Sequence, residues 1–386
     1  MNREDRFVLL VSPFRLDVEN GNLQRLRQVF GSLVEQYSGA IYFLSLGSSP
    51  LRAKKWLKKN GYSAYIEDSV FAWLAYINAT VWYYFGMLWC CKLGIGQSFG
   101  FRLRTPVPRK WEERFGLVVC LYPWAYRLLE LGRLNTSVVV DMNDVMAERY
   151  KRMQRRSWIS ISRREEETVV ESATRCIAIS DGDSDEFERL YNVRLPVAPF
   201  AAVESEELFS LAGRRRGMSV GYLAAGGPLN LEVLNLLLSQ VFLGILKEGG
   251  VRLVIAGGIC SSISRKTIRK LAEYDVNVMG RPNRLADFYG QISTMVNPTG
   301  PSTGIKVKSV EALLAGCSLI ATRWGSDGSL NKWFEKRIRT VEWPVDCYKL
   351  GTLAVELAKN RIEWSSAASV AYTESAKGAL KNLLQC

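Results

Sequence analysis

Short apolar runs alternate with stretches of helical period along almost the whole chain. Residues 7–12 (FVLLVS) read as a buried strand, and the spacing of Leu26, Val29, Phe30 and Leu33 predicts a helix over about 23–37. Further strand-like runs stand at 41–46, 117–122, 138–140, 175–180, 218–223, 251–256, 276–280 and 295–296. Segments of helical spacing lie between them, one containing residues 165–171 and one ending at Gly316, and the last stretch, 345–386, reads as helical with a break. Strand and helix taking turns predict an α/β fold. The segment from Pro196 and Pro199 to Gly217 is loose and polar, and reads as an interdomain linker.

Two stretches depart from this rhythm. Residues 51–61 (LRAKKWLKKNG) set Arg52, Lys54, Lys55, Lys58 and Lys59 around Trp56 and Leu57. A short basic helix with an aromatic anchor suits an anionic lipid surface, and a solvated helix face gives the same pattern. Residues 70–91 carry no charge over 22 positions, enough by length to span a bilayer. Topology argues against a single span, because strands before and after it have to pair in one sheet. Two readings remain: helices buried against that sheet, or an apolar shelf partly immersed in a membrane. Eight aromatics from Phe71 to Trp89 favour the interface. The expectation is a partly buried helical segment whose exposed apolar part handles a lipid-linked acceptor.

Composition narrows the chemistry. A chain of 386 residues, 48% hydrophobic and 23% charged, is long enough for two domains of ordinary soluble type. It has no histidine, which removes Ser-His-Asp hydrolysis, imidazole proton transfer and histidine metal ligation, and leaves Asp or Glu as any general base. Eight cysteines without a CxxC pair read as reduced thiols of a cytoplasmic protein, and a zinc site is not expected. The net charge is +13, and residues 51–156 hold 18 Lys and Arg against eight Asp and Glu. No nucleic-acid-binding motif accompanies that charge, so the expected anionic partner is the inner face of a membrane, with peripheral association and no nucleic acid.

The candidate chemistry concentrates in 294–316 (TMVNPTGPSTGIKVKSVEALLAG), a short strand, a small-residue loop and a helix. Glycine and serine let backbone N–H groups approach a ligand, and the helix start adds unpaired donors and a positive dipole end, which together make a phosphate seat. Lys306 adds a mobile charge. Glu311 falls seven residues after Gly304, on the same helix face, where a carboxylate reaches a ribose attached to that phosphate. An ordinary strand–loop–helix unit with one exposed Glu accounts for the same spacing.

The wording NPTGPSTGIKVKSVEALLAG, followed by Ala321, Thr322, Gly325 and Gly328, resembles the nucleotide-sugar segment of GT-B glycosyltransferases of group 1, family 4, which transfer with retention. The resemblance implies a donor diphosphate on Gly304, Ile305 and Lys306, and the ribose on Glu311. The first Glu of that family's Glu-x7-Glu pair is replaced by Thr303. It also implies two Rossmann-like domains facing across a cleft. An N-terminal acceptor and membrane-facing domain takes 1–200 with a helix at about 365–386 packed back on it, and a nucleotide-sugar domain takes 201–364. Gly21 and Arg25 match the family's first loop; a turn glycine and a surface arginine are the plainer alternative.

Asp141, Asp144 and Arg149, in DMNDVMAERY, resemble its acceptor-side segment. Gly221 and Asn230 resemble the loop near the diphosphate, and Gly280 and Arg281 the strand beside the base. Ser180 reads as a helix cap. Lys306 and Asp144 are the implied catalytic residues. The function implied is transfer of a sugar from a nucleotide diphosphate to a hydroxyl of a lipid-linked or cell-surface glycan, without cofactor or metal. A nucleotide-sugar epimerase and a non-catalytic partner subunit are the alternatives.

Overall fold

The computed structural model describes residues 7–18, 20–37, 40–88, 104–147, 149, 161–202, 205–214, 216–302, 304–326, 328–360 and 366–385. The chain divides into two units, 1–200 with 376–386, and 201–375.

In the first unit, β1 (Phe7–Ser12), β2 (Ile41–Ser45), β3 (Tyr65–Ile66), β4 (Phe115–Leu121), β5 (Ser137–Asp141) and β6 (Arg175–Ile177) form one sheet in the order β3-β2-β1-β4-β5-β6. Every pairing is parallel. Leu9, Leu10, Val118 and Val119 are wholly buried, as unbroken apolar runs in a sheet covered on both faces require. Helix α1 (Gly21–Tyr37) starts where Asn20 Oδ1 accepts the Leu23 N–H, and buries Leu23, Leu26, Val29, Phe30 and Leu33. At the chain's end, the helix Ala367–Leu384 contributes Leu380 and Leu384 to this core, and its Lys381 and Leu384 carbonyls accept from Gln36 and Tyr37.

Helix α2 (Pro50–Lys59) corrects one expectation. Pro50, Ala53, Trp56 and Leu57 share its inward face, and Trp56, only 6% exposed, packs among Phe30, Phe43 and Tyr62. The tryptophan therefore anchors the core, and the outer face is left to Leu51, Arg52 and four lysines. Helix α3 (Val70–Leu88) turns Ala72 and Ala75 inward and exposes Val70, Leu74, Ile77, Val81, Tyr84 and Phe85. The first five recur at alternating steps of four and three, which makes a single apolar stripe. Residues 89–91 of the uncharged stretch lie outside the described residues. Among the described residues, no single helix is long and apolar enough to cross a membrane.

The second unit repeats the topology with β7 (Ser219–Leu223), β8 (Arg252–Ala256), β9 (Val276–Gly280), β10 (Thr294–Asn297), β11 (Ser318–Ala321) and β12 (Ile338–Thr340), in the order β12-β11-β10-β7-β8-β9. Each unit's first strand is central, with its second and third strands on one side and its fourth to sixth on the other. Strand order therefore reverses between β1 and β4, and again between β7 and β10. Open α/β sheets bind ligands beyond the carboxyl ends of the strands at such a switch point. The expected linker is also more ordered than its composition suggests. It holds a helix, Ser205–Phe209, and Arg216 donates to the carbonyls of Leu211, Ile292 and Ala315.

Candidate functional site

The second unit's switch point is a braced loop. Asn297, at the end of β10, donates from Nδ2 to Ser309 Oγ at 2.8 Å and to the Gly325 carbonyl at 2.9 Å, and accepts from Thr299 Oγ1 at 2.7 Å. Thr322 Oγ1 donates to the Thr299 carbonyl. A Cβ on Gly325 would lie 2.0 Å from the Asn297 carbonyl oxygen, so only glycine permits this closure. The brace holds the loop that runs to Gly304, where φ is 70°, and on into the helix Val307–Leu314. Ser302, 8% exposed, keeps an Oγ with no hydrogen-bond partner among the described residues. Thr303 lies outside the described residues.

The helix start is polarised in an unusual sense. Lys306 is its N-cap, one residue before the first turn rather than inside it, with no side-chain cap and no acidic residue in the turn that follows. Its Nζ donates to the Gly304 carbonyl at 2.9 Å. Lys308, which sequence reasoning overlooked, lies over the Tyr222 ring with Nζ 4.8 Å from the centroid. Burial, helped by the Lys306 charge, pushes the Lys308 amine down to about 7. The Lys-x-Lys spacing at a helix head was the available signal. At the other end of the helix, Arg216 and Arg337 donate to the Ala315 and Gly316 carbonyls, where cations belong. Two lysines at the positive end oppose the dipole, and an anion relieves both.

Glu311, 4% exposed, accepts the Tyr289 hydroxyl at 2.9 Å, so the exposed carboxylate of the plain reading is not found. Asn230 accepts the Tyr222 hydroxyl and donates to the Ala225 carbonyl at 3.0 Å, shaping the turn after β7. Gly221 corrects another expectation. It lies within β7, where a Cβ would meet Ile292 and Phe288 at 2.5–2.8 Å, so it serves packing, and Gly226 and Gly227 form the turn. Gly280, with φ 75°, ends β9, and the Arg281 guanidinium lies against Gly258, 3.3 Å from where its Cβ would stand.

In the first unit the acceptor-side residues separate into two groups. Arg25 and Asp141 are each 1% exposed and paired at 2.7 Å, with Arg25 also donating to Gln28 and the Pro199 carbonyl. They tie α1 to β5 inside the unit, so neither an accessible acceptor contact nor a surface arginine is found. Asp144 and Arg149 pair at 3.3 Å beyond β5, where Asn143 takes a φ of 55°. Asp144 is buried, and its Oδ1 has no partner among the described residues. Tyr122, at the end of β4, holds a φ of 72°, strained for a bulky side chain, and such strain collects at working sites. Gly21 opens α1 between Asn20 and Asn22, which border the same hollow as Tyr122 and Arg149.

Glu166, wholly buried on the helix Arg163–Ser172, holds the Asp144 segment from behind. Its carboxylate accepts the N–H groups of Met146 at 2.8 Å and Ala147 at 3.3 Å, and the Tyr191 hydroxyl at 2.7 Å. Burial, first among the causes, pushes its pKa up to about 7. The folded form therefore binds this proton more tightly than the unfolded chain does. The resulting stability is full below about pH 4.5 and is lost as pH rises through 7, about 3 kcal/mol in all. Glu166→Gln is expected to flatten the pH dependence of urea unfolding between pH 5 and 8.

Residues 219–333 match the family model described as glycosyl transferases group 1. No curated protein matches the chain significantly. Among solved structures, the chain is similar to a mutant of S. aureus TarM in complex with fondaparinux, alpha-GlcNAc-glycerol and UDP, with a TM-score of 0.64 and 12% identity over 99% of this chain and 100% of that one. It is similar to Anabaena HepE in complex with UDP, with a TM-score of 0.59 and 12% identity over 98% and 97%. A glycosyltransferase from Rickettsia africae gives a TM-score of 0.59 and 12% identity over 98% and 96%. At these identities the likeness is one of fold.

Proposed function

We propose that this chain, a glycosyltransferase of the GT-B fold whose residues 219–333 form a group 1 domain, moves a hexosyl unit from a nucleotide diphosphate to the hydroxyl of a lipid-linked or cell-surface glycan. The observation that carries the reading is the helix start at Lys306, where two lysines and a braced glycine loop stand at the end of a dipole with no acidic residue in the first turn. A diphosphate seated there meets backbone N–H groups, Lys306 and Lys308. Glu311 takes the ribose, and Gly280 with Arg281 borders the base. Asp144, buried and outside the lining of the acceptor hollow, acts by holding Arg149, which borders that hollow, at 3.3 Å.

The bond from the sugar's anomeric carbon to the diphosphate breaks and one to the acceptor oxygen forms, with retention. The acceptor proton passes to the leaving diphosphate oxygen. Fixed donors and lysine stabilise the charge that develops there, in place of a metal or cofactor. UDP, present in the S. aureus and Anabaena structures, is the first nucleotide to try. The test uses radiolabelled UDP-sugars with a total lipid extract. Label moving to lipid agrees with this reading, whereas isomerised sugar alone, or no turnover, contradicts it.

The membrane part of the proposal rests on α3 and α2. The stripe of Val70, Leu74, Ile77 and Val81 is exposed, and the outer face of α2 carries Lys54, Lys55, Lys58 and Lys59. Lys54 and Lys58 line one hollow with Asp68 and Ser69, just before α3. Apolar insertion beside lysines fits an anionic bilayer surface. The double variant Leu74→Asp/Ile77→Asp is expected to cut co-flotation with phosphatidylglycerol vesicles at least tenfold and to leave UDP binding unchanged.

A further inference from the structure

We propose that the hollow in the first unit is an acceptor pocket for a sugar or polyol that bears an anionic group, phosphate or carboxylate. This deepens the glycosyltransferase reading and rests on it. The hollow encloses about 500 Å³, within the range of small-molecule sites, and touches the ends of β1 and β4 at the unit's switch point.

Its lining chemistry is one-sided. Arg15, Arg52 and Arg149 border it, and among the described residues no Asp or Glu does. The carboxylates behind them are fewer than the guanidinium groups. Asp17 holds Arg15 through two bonds of 2.8 and 3.1 Å and also faces Arg52 at 4.0 Å, while Asp144 holds Arg149 at 3.3 Å. Among the described residues, two carboxylates thus serve three cations. Guanidinium groups only donate, so the ligand has to bring acceptors, and a phosphate or carboxylate matches the guanidinium fork with two oxygens.

Much of the remaining wall is aromatic. Tyr76, Tyr84, Phe14 and Trp124 border it, and aromatic rings suit the C–H surface of a sugar ring. Tyr83, from α3, borders the hollow beside Arg15 and interacts electrostatically with it. Asn20 and Asn22, at the head of α1, supply neutral partners for hydroxyls. The site joins a cationic edge to an aromatic one, and a neutral glycan satisfies only the second.

The experiment measures calorimetric binding of glucose 6-phosphate, glucuronate and glucose to the full-length protein at saturating UDP, so that phosphate cannot occupy the donor seat. Both anionic sugars are expected to bind at least tenfold more tightly than glucose. The double variant Arg15→Ser/Arg52→Ser should erase that preference while keeping the UDP-induced rise in Tm, which certifies its fold. Equal affinity for glucose, or a preference that survives in the double variant, overturns the proposal. Loss of UDP binding in the parent protein instead overturns the donor reading, so the two failures are told apart. Phosphatidylinositol vesicles beside free inositol 1-phosphate identify the source. Because α2 and α3 also meet anionic bilayers, only binding lost in the Arg15→Ser/Arg52→Ser variant counts: such binding of the vesicles alone supports a lipid-borne anion, of both a free one, and of neither overturns the proposal.

Discussion

Lys306→Ala is expected to lower kcat by ~10²–10³-fold, the loss typical when one fixed donor to a developing oxyanion is removed. The bond to the Gly304 carbonyl keeps the Lys306 amine at the helix head, so its charge is in place before the diphosphate begins to leave. Little reorganisation is needed at the moment of cleavage. Lys308→Met should act differently. The Lys308 amine, pushed down to about 7, is part neutral near neutrality, and an adjacent diphosphate restores its proton. Donor binding then takes up a proton and weakens as pH rises from 7 to 9. The methionine variant should bind more weakly at pH 7 and lose that slope. Calorimetry in two buffers of different ionisation enthalpy reads the uptake directly.

Asp141→Ala is expected to cost ~3–5 kcal/mol of stability, measured by urea unfolding of the first unit's transition. The pair it breaks is enclosed on both sides and spans α1 to β5 at 2.7 Å. Removing the carboxylate leaves the Arg25 guanidinium buried and poorly compensated, with neutral acceptors at Gln28 and the Pro199 carbonyl. Arg25→Met combined with Asp141→Leu should recover much of that loss, because no charge is then stranded. A functional role for the pair predicts the opposite, with stability kept and turnover lost.

Much of the fold was legible because parallel strands covered on both faces have to be continuous apolar runs, as in β1, β4, β5 and β8. Three strands were missed: β11 is buried and apolar but only four residues long and directly follows the helix that ends at Gly316, and the other two lack that mark. β3 is two residues long, and β12 carries Arg339 in its middle, so their pairing is decided by the sheet beside them. Trp56 misled because basic residues surround it in sequence while helical spacing turns it to the core. The loop and helix head proposed as the phosphate seat were readable from Gly304 and Lys306, since a glycine loop and a helix head are local features. Arg25 and Asp141 were not readable as partners. They stand 116 positions apart, and nothing in either neighbourhood indicates the other. Gly221 was mistaken for a loop glycine because only the tertiary contact with Phe288 and Ile292 reveals its packing role.

The most direct test of the central claim is a crystal structure of the protein with UDP. The prediction is that the two phosphates lie within 3.2 Å of backbone N–H groups between Gly304 and Lys308, with the ribose hydroxyls on Glu311. Phosphates bound at any other part of the chain, with the Gly304–Lys308 seat left to its own side chains, would contradict it.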